Sequence, residues 1–485
     1  MPEFSRRRFL KAMGAGAAGL TLSGVMDAAS RAAVRPNILF LFTDDQRFDT
    51  IHALGNKDII TPTMDSLVRD GTSFTNAYIM GGRSGAVCMP SRAMLLTGRH
   101  LFHVVENGRG IPDGHVLLPE LLRRHGYETF GTGKWHNGAK AYARSFTRGG
   151  KIFFGGMGDH YRVPVQDFDP SGEYPKERVY YDEGVHSSEL FTGAAIDFLK
   201  NRTGDSPFFM YVSYTAPHDP REMPKEYLNR YEPEKIPLPE NFLPRHPFDN
   251  GDFDIRDEKL APWPRTPGEI RKHIAAYYAM ITHLDACIVR LLDTLKETGQ
   301  FENTIIVFAG DNGLAVGQHG LLGKQNLYEH SVHVPLVFSG PGIPKGVRWD
   351  AFCYLYDIFP TLCDLLGIPA PGSVDGKSLY PAFDDPGCRG RDSLFFAYKN
   401  FQRAVRTDRW KLILYNVRGE RHTQLFDLLN DPLETADLSK EASHAGRIRE
   451  LTVIMEDWFR ETGDGVDLSK PDWGVEEIPS WSSNR

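Results

Sequence analysis

The chain reads as an α/β protein, a largely parallel sheet sandwiched by helices with a small C-terminal α+β subdomain. Short apolar runs rich in Ile, Val and Phe recur without clean alternation, as strands covered on both faces do. Helical patterns with capping and breaking residues at their ends separate these runs. The strands in chain order are Asn37 to Phe42, a shorter one near Glu128 to Gly131, Phe208 to Val212, Thr304 to Phe308 and Val334 to Phe338. Thr61-Pro62 opens a helix that stops at Gly71, with cap residue and N1 proline in their preferred places. Further helices are expected from about Val116 to Gly126, Ser187 to Lys200 and Glu269 to Gly299. After about Pro371 the texture changes to short β-like pieces, Arg409 to Tyr415 and Leu425 to Leu428, and then a last helical pattern. The expected organisation is a main domain over 36–370 and a subdomain with a small antiparallel sheet and helix over 371–485.

Composition bounds the function. Of 485 residues, 41% are hydrophobic and 25% charged, which excludes a disordered or coiled-coil chain. The 56 Lys and Arg against 63 Asp and Glu leave a net charge of −7, so no nucleic acid partner is expected and anion recognition must be local. Five cysteines are too few for a disulfide framework, and the odd number leaves one unpaired. Ser5-Arg6-Arg7-Arg8-Phe9-Leu10-Lys11 followed by a Gly/Ala-rich apolar stretch resembles a bacterial twin-arginine signal peptide over residues 1–30. It implies the export machinery as a partner and a periplasmic or secreted location. It also implies folding before export, so a modification made in the cytoplasm would travel with the chain.

The segments that follow the strands carry the chemistry. Strand 37–42 runs into Asp44-Asp45, strand 304–308 into Asp311-Asn312-Gly313, strand 208–213 into Pro217-His218-Asp219, and the strand near 128–131 into Gly133-Lys134-Trp135-His136. Ligands of open parallel sheets bind beyond the carboxyl ends of the strands, so all four groups are expected at one edge. Asp44, Asp45 and Asp311 converging beside Asn312 would repel one another without a cation. Four hard oxygen donors suit Ca²⁺, with Mg²⁺ as second choice, rather than zinc. The alternative is that Asp44-Asp45 merely cap a turn.

Cys88-Met89-Pro90-Ser91-Arg92 opens an apolar run ending in Leu96-Thr97-Gly98-Arg99. Pro90 places Cys88 at a helix start, where free N–H groups and the dipole favour an anion, and Arg92 adds a cation one turn on. By chemistry alone this is a reactive cysteine, an anion site or a packed small residue. The Cys-x-Pro-Ser-Arg and Leu-Thr-Gly pattern resembles the signature of the formylglycine-dependent type I sulfatases of the alkaline-phosphatase-like superfamily. The likeness extends through Asp44-Asp45, Gly133 to His136, Pro217-His218, Asp311-Asn312-Gly313, His319 to Lys324 and Arg409 to Leu412, with Asn137 standing where a leucine is common.

That resemblance implies a sulfuric ester hydrolase in which Cys88 is modified to formylglycine by a dedicated maturation enzyme. It implies a cation held by Asp44, Asp45, Asp311, Asn312 and residue 88. The formylglycine hydrate would attack sulfur while Arg92, Lys134 and Lys324 neutralise the sulfuryl oxygens. His218 would protonate the leaving group, and His136 would take the proton that lets the second hydroxyl expel sulfate. Lys134, His218 and Lys324, with His319 beside them, would touch the substrate, a sulfated small molecule or polysaccharide. Segments expected to roof the pocket are His100 to His103 with Arg109, Arg148 to Arg162, and Pro244 to Pro267 with Trp263 and Arg265. Alternatives are a phosphate or phosphonate ester hydrolase on the same scaffold, or a non-catalytic binding protein if Cys88 stays unmodified. Arg47 assists the substrate or pairs with a nearby carboxylate. Asp285 and His283 are expected in an interior salt bridge or at the surface. Cys353 and Cys363 read as core, while Cys287 and Cys388 show no catalytic signal.

Overall fold

A computed structural model describes residues 35–475. The signal peptide expected over 1–30 and the last ten residues of the C-terminal segment, 476–485, lie outside the described residues. The main sheet has eight strands in the order Val347–Trp349, Gly71–Phe74, Leu336–Ser339, Thr304–Gly310, Asn37–Thr43, Phe208–Ser213, Glu128–Lys134 and Arg148–Phe153. The last five run parallel to one another. Every residue of Asn37–Thr43 is buried. Ile38, Phe40 and Phe42 point into one core and Leu39 and Leu41 into the other, which is why the strand shows no polar alternation. Helices Ser187–Asn201 and Pro267–Glu297 cover the second face through Phe191, Ile274 and Leu284. Helices Cys88–Thr97 and Ile358–Leu366 cover the first through Met94, Leu95 and Phe359.

One expectation needs correction, and two strands were not expected at all. The run 334–338 is not one parallel strand. His333–Val334 pairs with Ala77–Tyr78 in a separate three-stranded sheet, and Leu336–Ser339 joins the main sheet antiparallel to both neighbours. Pro335 lacks the N–H that a continuous strand would use, and the chain changes sheets there. The strands Gly71–Phe74 and Arg148–Phe153 gave no apolar run to read, since one is four residues of mostly small side chains and the other is a half-exposed edge with two glycines.

Glu420–Asp427, Trp410–Val417, Gln402–Arg406 and Leu394–Tyr398 form an antiparallel C-terminal sheet against which helix Ala445–Thr462 packs Leu451, Met455 and Phe459. Gly81–Gly82 completes this sheet beside Ala397–Tyr398. A Cβ at Gly81 would meet the Ala397 carbonyl, and φ there is 101°, so only glycine fits. The C-terminal sheet is thereby stitched to the segment that leads into Cys88.

Asp285, in the middle of the long helix, is buried and makes no salt bridge among the described residues. Its carboxylate accepts from Thr63 N (3.0 Å) and Met64 N (2.8 Å), capping helix Pro62–Arg69 from outside. Burial pushes its carboxyl up to about 6 even though both amides favour the charged form. Asp285→Ala strands two buried N–H groups, so a loss of about 2–4 kcal/mol is expected in a urea unfolding midpoint analysis. An unchanged midpoint would show that water replaces the cap.

Candidate active site

Four adjacent parallel strands deliver their carboxyl ends to one edge of the sheet. Asn37–Thr43 leads to Asp44 and Asp45, Thr304–Gly310 to Asp311 and Asn312, Glu128–Lys134 ends on Lys134 itself, and Phe208–Ser213 leads to His218. Cys88 opens the helix Cys88–Thr97 above that edge, with Pro90 in its first turn and Gly98 ending it in the left-handed region. Asp45 (φ 64°) and His136 (φ 68°) hold backbone conformations that side chains rarely adopt, a strain typical of sites whose geometry is fixed by function.

The side chains converge. Lys134 Nζ donates to Asp44 Oδ2 (2.5 Å) and Cys88 Sγ (3.4 Å), and His136 Nδ1 lies 3.5 Å from the same sulfur. Lys324 Nζ donates to Asp45 Oδ1 (2.6 Å), and His218 Nε2 lies 3.6 Å from Asp45 Oδ2. His218 Nδ1–H donates to the Asp219 carbonyl (2.8 Å), leaving Nε2 to face the site. Asp45 N donates to Asp311 Oδ1 (3.0 Å), and Asn312 Nδ2 donates to Asp45 Oδ1 (2.7 Å). One ligand atom each from Asp44, Cys88 and Asp311 lie within 4.8 Å of one another, and so do those of Asp44, Asp45 and His218.

Burial dominates the electrostatics. It pushes the Cys88 thiol up even though Lys134 and Lys324 pull the other way, so the side chain is a thiol at neutral pH. The thiolate allowed by the sequence is thereby disfavoured. Burial, reinforced by Asp44, lifts the Asp311 carboxyl to about 7. Burial would raise Asp44 too, but Lys134, His218, Arg92 and Lys324 hold it far below the carboxylate range. Burial and then Lys134 hold the His136 imidazole well below its usual value, so it is neutral at pH 7.

The sequence profile of the sulfatase family matches residues 36–368. The chain belongs to the sulfatase family. It is a sulfuric ester hydrolase. A second profile, for the N-sulphoglucosamine sulphohydrolase C-terminal region, matches residues 317–460. The chain is 30% identical to an arylsulfatase of Clostridium perfringens over 90% of its own length and 98% of the relative's. It is 26% identical to an N-acetylglucosamine-6-O-sulfatase of Bacteroides thetaiotaomicron over 92% and 90%. A solved protein in complex with its substrate D-glucosamine-2-N,6-O-disulfate superposes with a TM-score of 0.75 at 24% identity, over 91% of this chain and all of that one. That likeness places the sulfatase in the alkaline-phosphatase-like fold.

The donor set fits a hard divalent cation. Asp44 Oδ1 and Asn312 Oδ1 are buried without a hydrogen-bond partner, a costly state that binding a cation would relieve. Asp44, Asp45, Asp311 and Asn312, with residue 88, are the groups that would hold it, and all of the first four offer oxygen.

The other expected residues make further contacts around this cluster and beyond it. Arg92 is fully buried and serves the carboxylates, donating from Nε to Asp311 Oδ2 (2.8 Å) and from Nη1 to Ser213 Oγ (2.5 Å) and Lys134 O (3.0 Å). His319 stacks on Tyr328 at 3.9 Å with Nε2 against Asn241 Nδ2 (3.3 Å). Arg47 pairs with Asp49. His100 and His103 cluster with Asp375, and Phe102 between them lies under the Arg83 guanidinium. Gly156, within the expected roof, does abut His136, since a Cβ there would lie 3.0 Å from its ring. Trp263 and Arg265 stack on each other at 3.7 Å, and Arg265 is buried. Asn137 earns its place by donating to Met89 O (3.0 Å) and Gly108 O (2.6 Å), which ties the His136 loop to the first turn of the cysteine helix. Tyr277, whose OH donates to Asp45 O (2.6 Å), and Ser91, whose Oγ donates to Asp311 O (2.5 Å), were missed. Ser91 lies inside the cysteine motif, but nothing near Tyr277 in sequence marks it.

Proposed function

We propose that this sulfatase removes sulfate from carbohydrate esters, using residue 88 in its formylglycine form and one bound Ca²⁺, after export from the cytoplasm. The observation that carries the reading is the grouping of Lys134 and His136 on residue 88, with Lys324 and His218 facing them across Asp45. The named N-acetylglucosamine-6-O-sulfatase relative supports a sugar substrate, and the consecutive arginines before an apolar stretch support export. A maturation enzyme acting before export would be the required partner. Formylglycine supplies an oxygen nucleophile with a second hydroxyl for release of sulfate, and the cation supplies Lewis-acid charge.

The remaining work falls to the chain's own side chains. Lys134 and Lys324 reach the site from two sides and neutralise the oxygens of a sulfuryl group placed against residue 88. Arg92 helps keep Asp44 charged and pairs with Asp311, fixing both carboxylates in place. His136, neutral and next to residue 88, accepts its proton at Nδ1. His218, with Nδ1–H fixed on the Asp219 carbonyl, presents Nε2 as the atom through which the leaving oxygen is protonated.

Matched sulfate and phosphate monoesters, with an aryl phosphonate as a third arm, test the class. kcat/KM is expected to favour the sulfate by at least about tenfold, because discrimination is carried by that ratio. A preference for either phosphorus ester would replace the sulfate reading.

A further inference from the structure

The segment from Arg256 to Arg265 reads in sequence as pocket roof, yet Glu258 and Arg265 turn inward. Glu258 is 3% exposed and Arg265 2%. Arg265 Nη2 donates to Glu258 Oε2 (2.6 Å) and to Glu258 O (2.8 Å), and its guanidinium also reaches the Ala261 carbonyl. A buried ion pair of this kind is seldom a net source of stability, because desolvation offsets the attraction. Its contacts suggest another use. The Glu258 carboxylate also accepts from Leu322 N (3.1 Å) and Gly323 N (2.8 Å), the two amides before Lys324. A Cβ on Gly323 would come within 3.0 Å of Glu258 Oε1, so glycine permits the approach. On the other side of Lys324, Gln325 accepts from Lys324 N (2.9 Å) through Oε1 and donates from Nε2 to Asp257 Oδ2 (2.9 Å) and Gly85 O (2.9 Å). Lys324 is therefore bracketed by two consecutive acids of one segment.

The same segment reaches the opposite catalytic loop. Arg256 donates to both carboxylate oxygens of Asp219 and to Asp257 Oδ1 (2.6 Å). Asp219 in turn holds His218, its carbonyl accepting from Nδ1 (2.8 Å) and its Oδ1 lying 3.4 Å from the same nitrogen. A continuous path runs His218, Asp219, Arg256, Asp257, Gln325, Lys324. Both of its ends meet Asp45, with His218 Nε2 at 3.6 Å from one oxygen and Lys324 Nζ at 2.6 Å from the other.

We propose that the Arg256–Arg265 segment is a strap that sets the spacing of His218 and Lys324 across the site, with Arg256 and Glu258 as positioning residues for the proton donor and the cation respectively. The inference rests on the proposed roles of those two groups. Its two halves act separately. Loosening Arg256 misaligns a proton donor, which matters when the leaving group is a basic alkoxide and little when it is a stable phenolate. Loosening Glu258 misplaces a cation on the sulfuryl oxygens, which every leaving group needs.

The test uses the mature enzyme, 4-nitrophenyl sulfate and a 6-sulfated N-acetylglucosamine. Arg256→Met is expected to lower kcat on the sugar sulfate at least about tenfold more than on the aryl sulfate. This ratio does not depend on how much enzyme is folded. Arg256→Lys should restore only part of the ratio, because an ammonium cannot grip both oxygens of Asp219. Glu258→Gln, normalised to the folded fraction by circular dichroism, should lower kcat on both substrates by a similar factor with KM nearly unchanged. An Arg256→Met ratio equal to the wild-type ratio, or a Glu258→Gln enzyme with wild-type kcat, overturns the strap. Wild-type enzyme that turned over neither sulfate would overturn the sulfate-ester reading instead.

Discussion

Cys88→Ala is expected to lose on the order of 10⁴-fold or more in turnover, because removing the nucleophile takes away the covalent route and leaves only binding and charge stabilisation. Cys88→Ser tests why a cysteine-derived group is needed. Serine offers one hydroxyl, so it could be sulfated once but could not expel the sulfate, and a burst of no more than one leaving group per enzyme is expected. An unmodified thiol would fare poorly here, since burial keeps Cys88 protonated despite the neighbouring lysines. The companion measurement is peptide mass analysis of active wild-type enzyme, in which the tryptic fragment ending at Arg92 should have lost sulfur and should react with a hydrazide. Full activity in protein carrying only unmodified cysteine would exclude formylglycine as the nucleophile. Because Asp44, Asp311 and Cys88 draw together as a group, alanine at 88 is also expected to weaken cation retention, readable by elemental analysis independently of turnover.

Much of this site was legible because it is built from strand ends. Asp44, His218 and Asp311 each follow an unbroken apolar run of the kind buried on both faces, Lys134 ends a shorter strand beside them, and parallel neighbours must present their carboxyl ends together. Cys88 was legible because Pro90 can stand in a first turn but not deeper in a helix. What escaped depends on side-chain direction across long sequence separations. Arg92 is one turn from Cys88, and spacing alone could not say that its guanidinium turns inward to Asp311. Tyr277 reaches Asp45 from the middle of a 31-residue helix whose pattern reads as core. Arg265 and Trp263 have the composition of a sugar-binding surface, yet each satisfies the other, so composition misdirected the reading. The strand after Pro335 was misassigned because a proline break between two sheets leaves the apolar run intact in sequence.

His218→Ala should damage hydrolysis of a sulfated sugar by about 10²–10⁴-fold and that of an activated aryl sulfate far less. The reason lies in the leaving oxygen. A nitrophenolate is a stable anion and departs without a proton, whereas a sugar alkoxide is strongly basic and departs only if protonated as the S–O bond breaks. In the proposed mechanism that proton comes through Nε2 of His218, since Nδ1–H is committed to the Asp219 carbonyl at 2.8 Å while Nε2 faces Asp45. His136→Ala provides the contrast. Its Nδ1 lies 3.5 Å from the side chain of residue 88, so its proton transfer belongs to release of sulfate, a step common to both substrates. It should therefore slow both by a similar factor. Plotting log kcat/KM against leaving-group pKa for a series of aryl sulfates makes the distinction quantitative, with a steeper negative slope expected for His218→Ala than for wild type and an unchanged slope for His136→Ala. Equal losses on sugar and aryl sulfates in the His218 variant would move the proton to another donor. Lys324 is the first to test, since its ammonium also reaches Asp45.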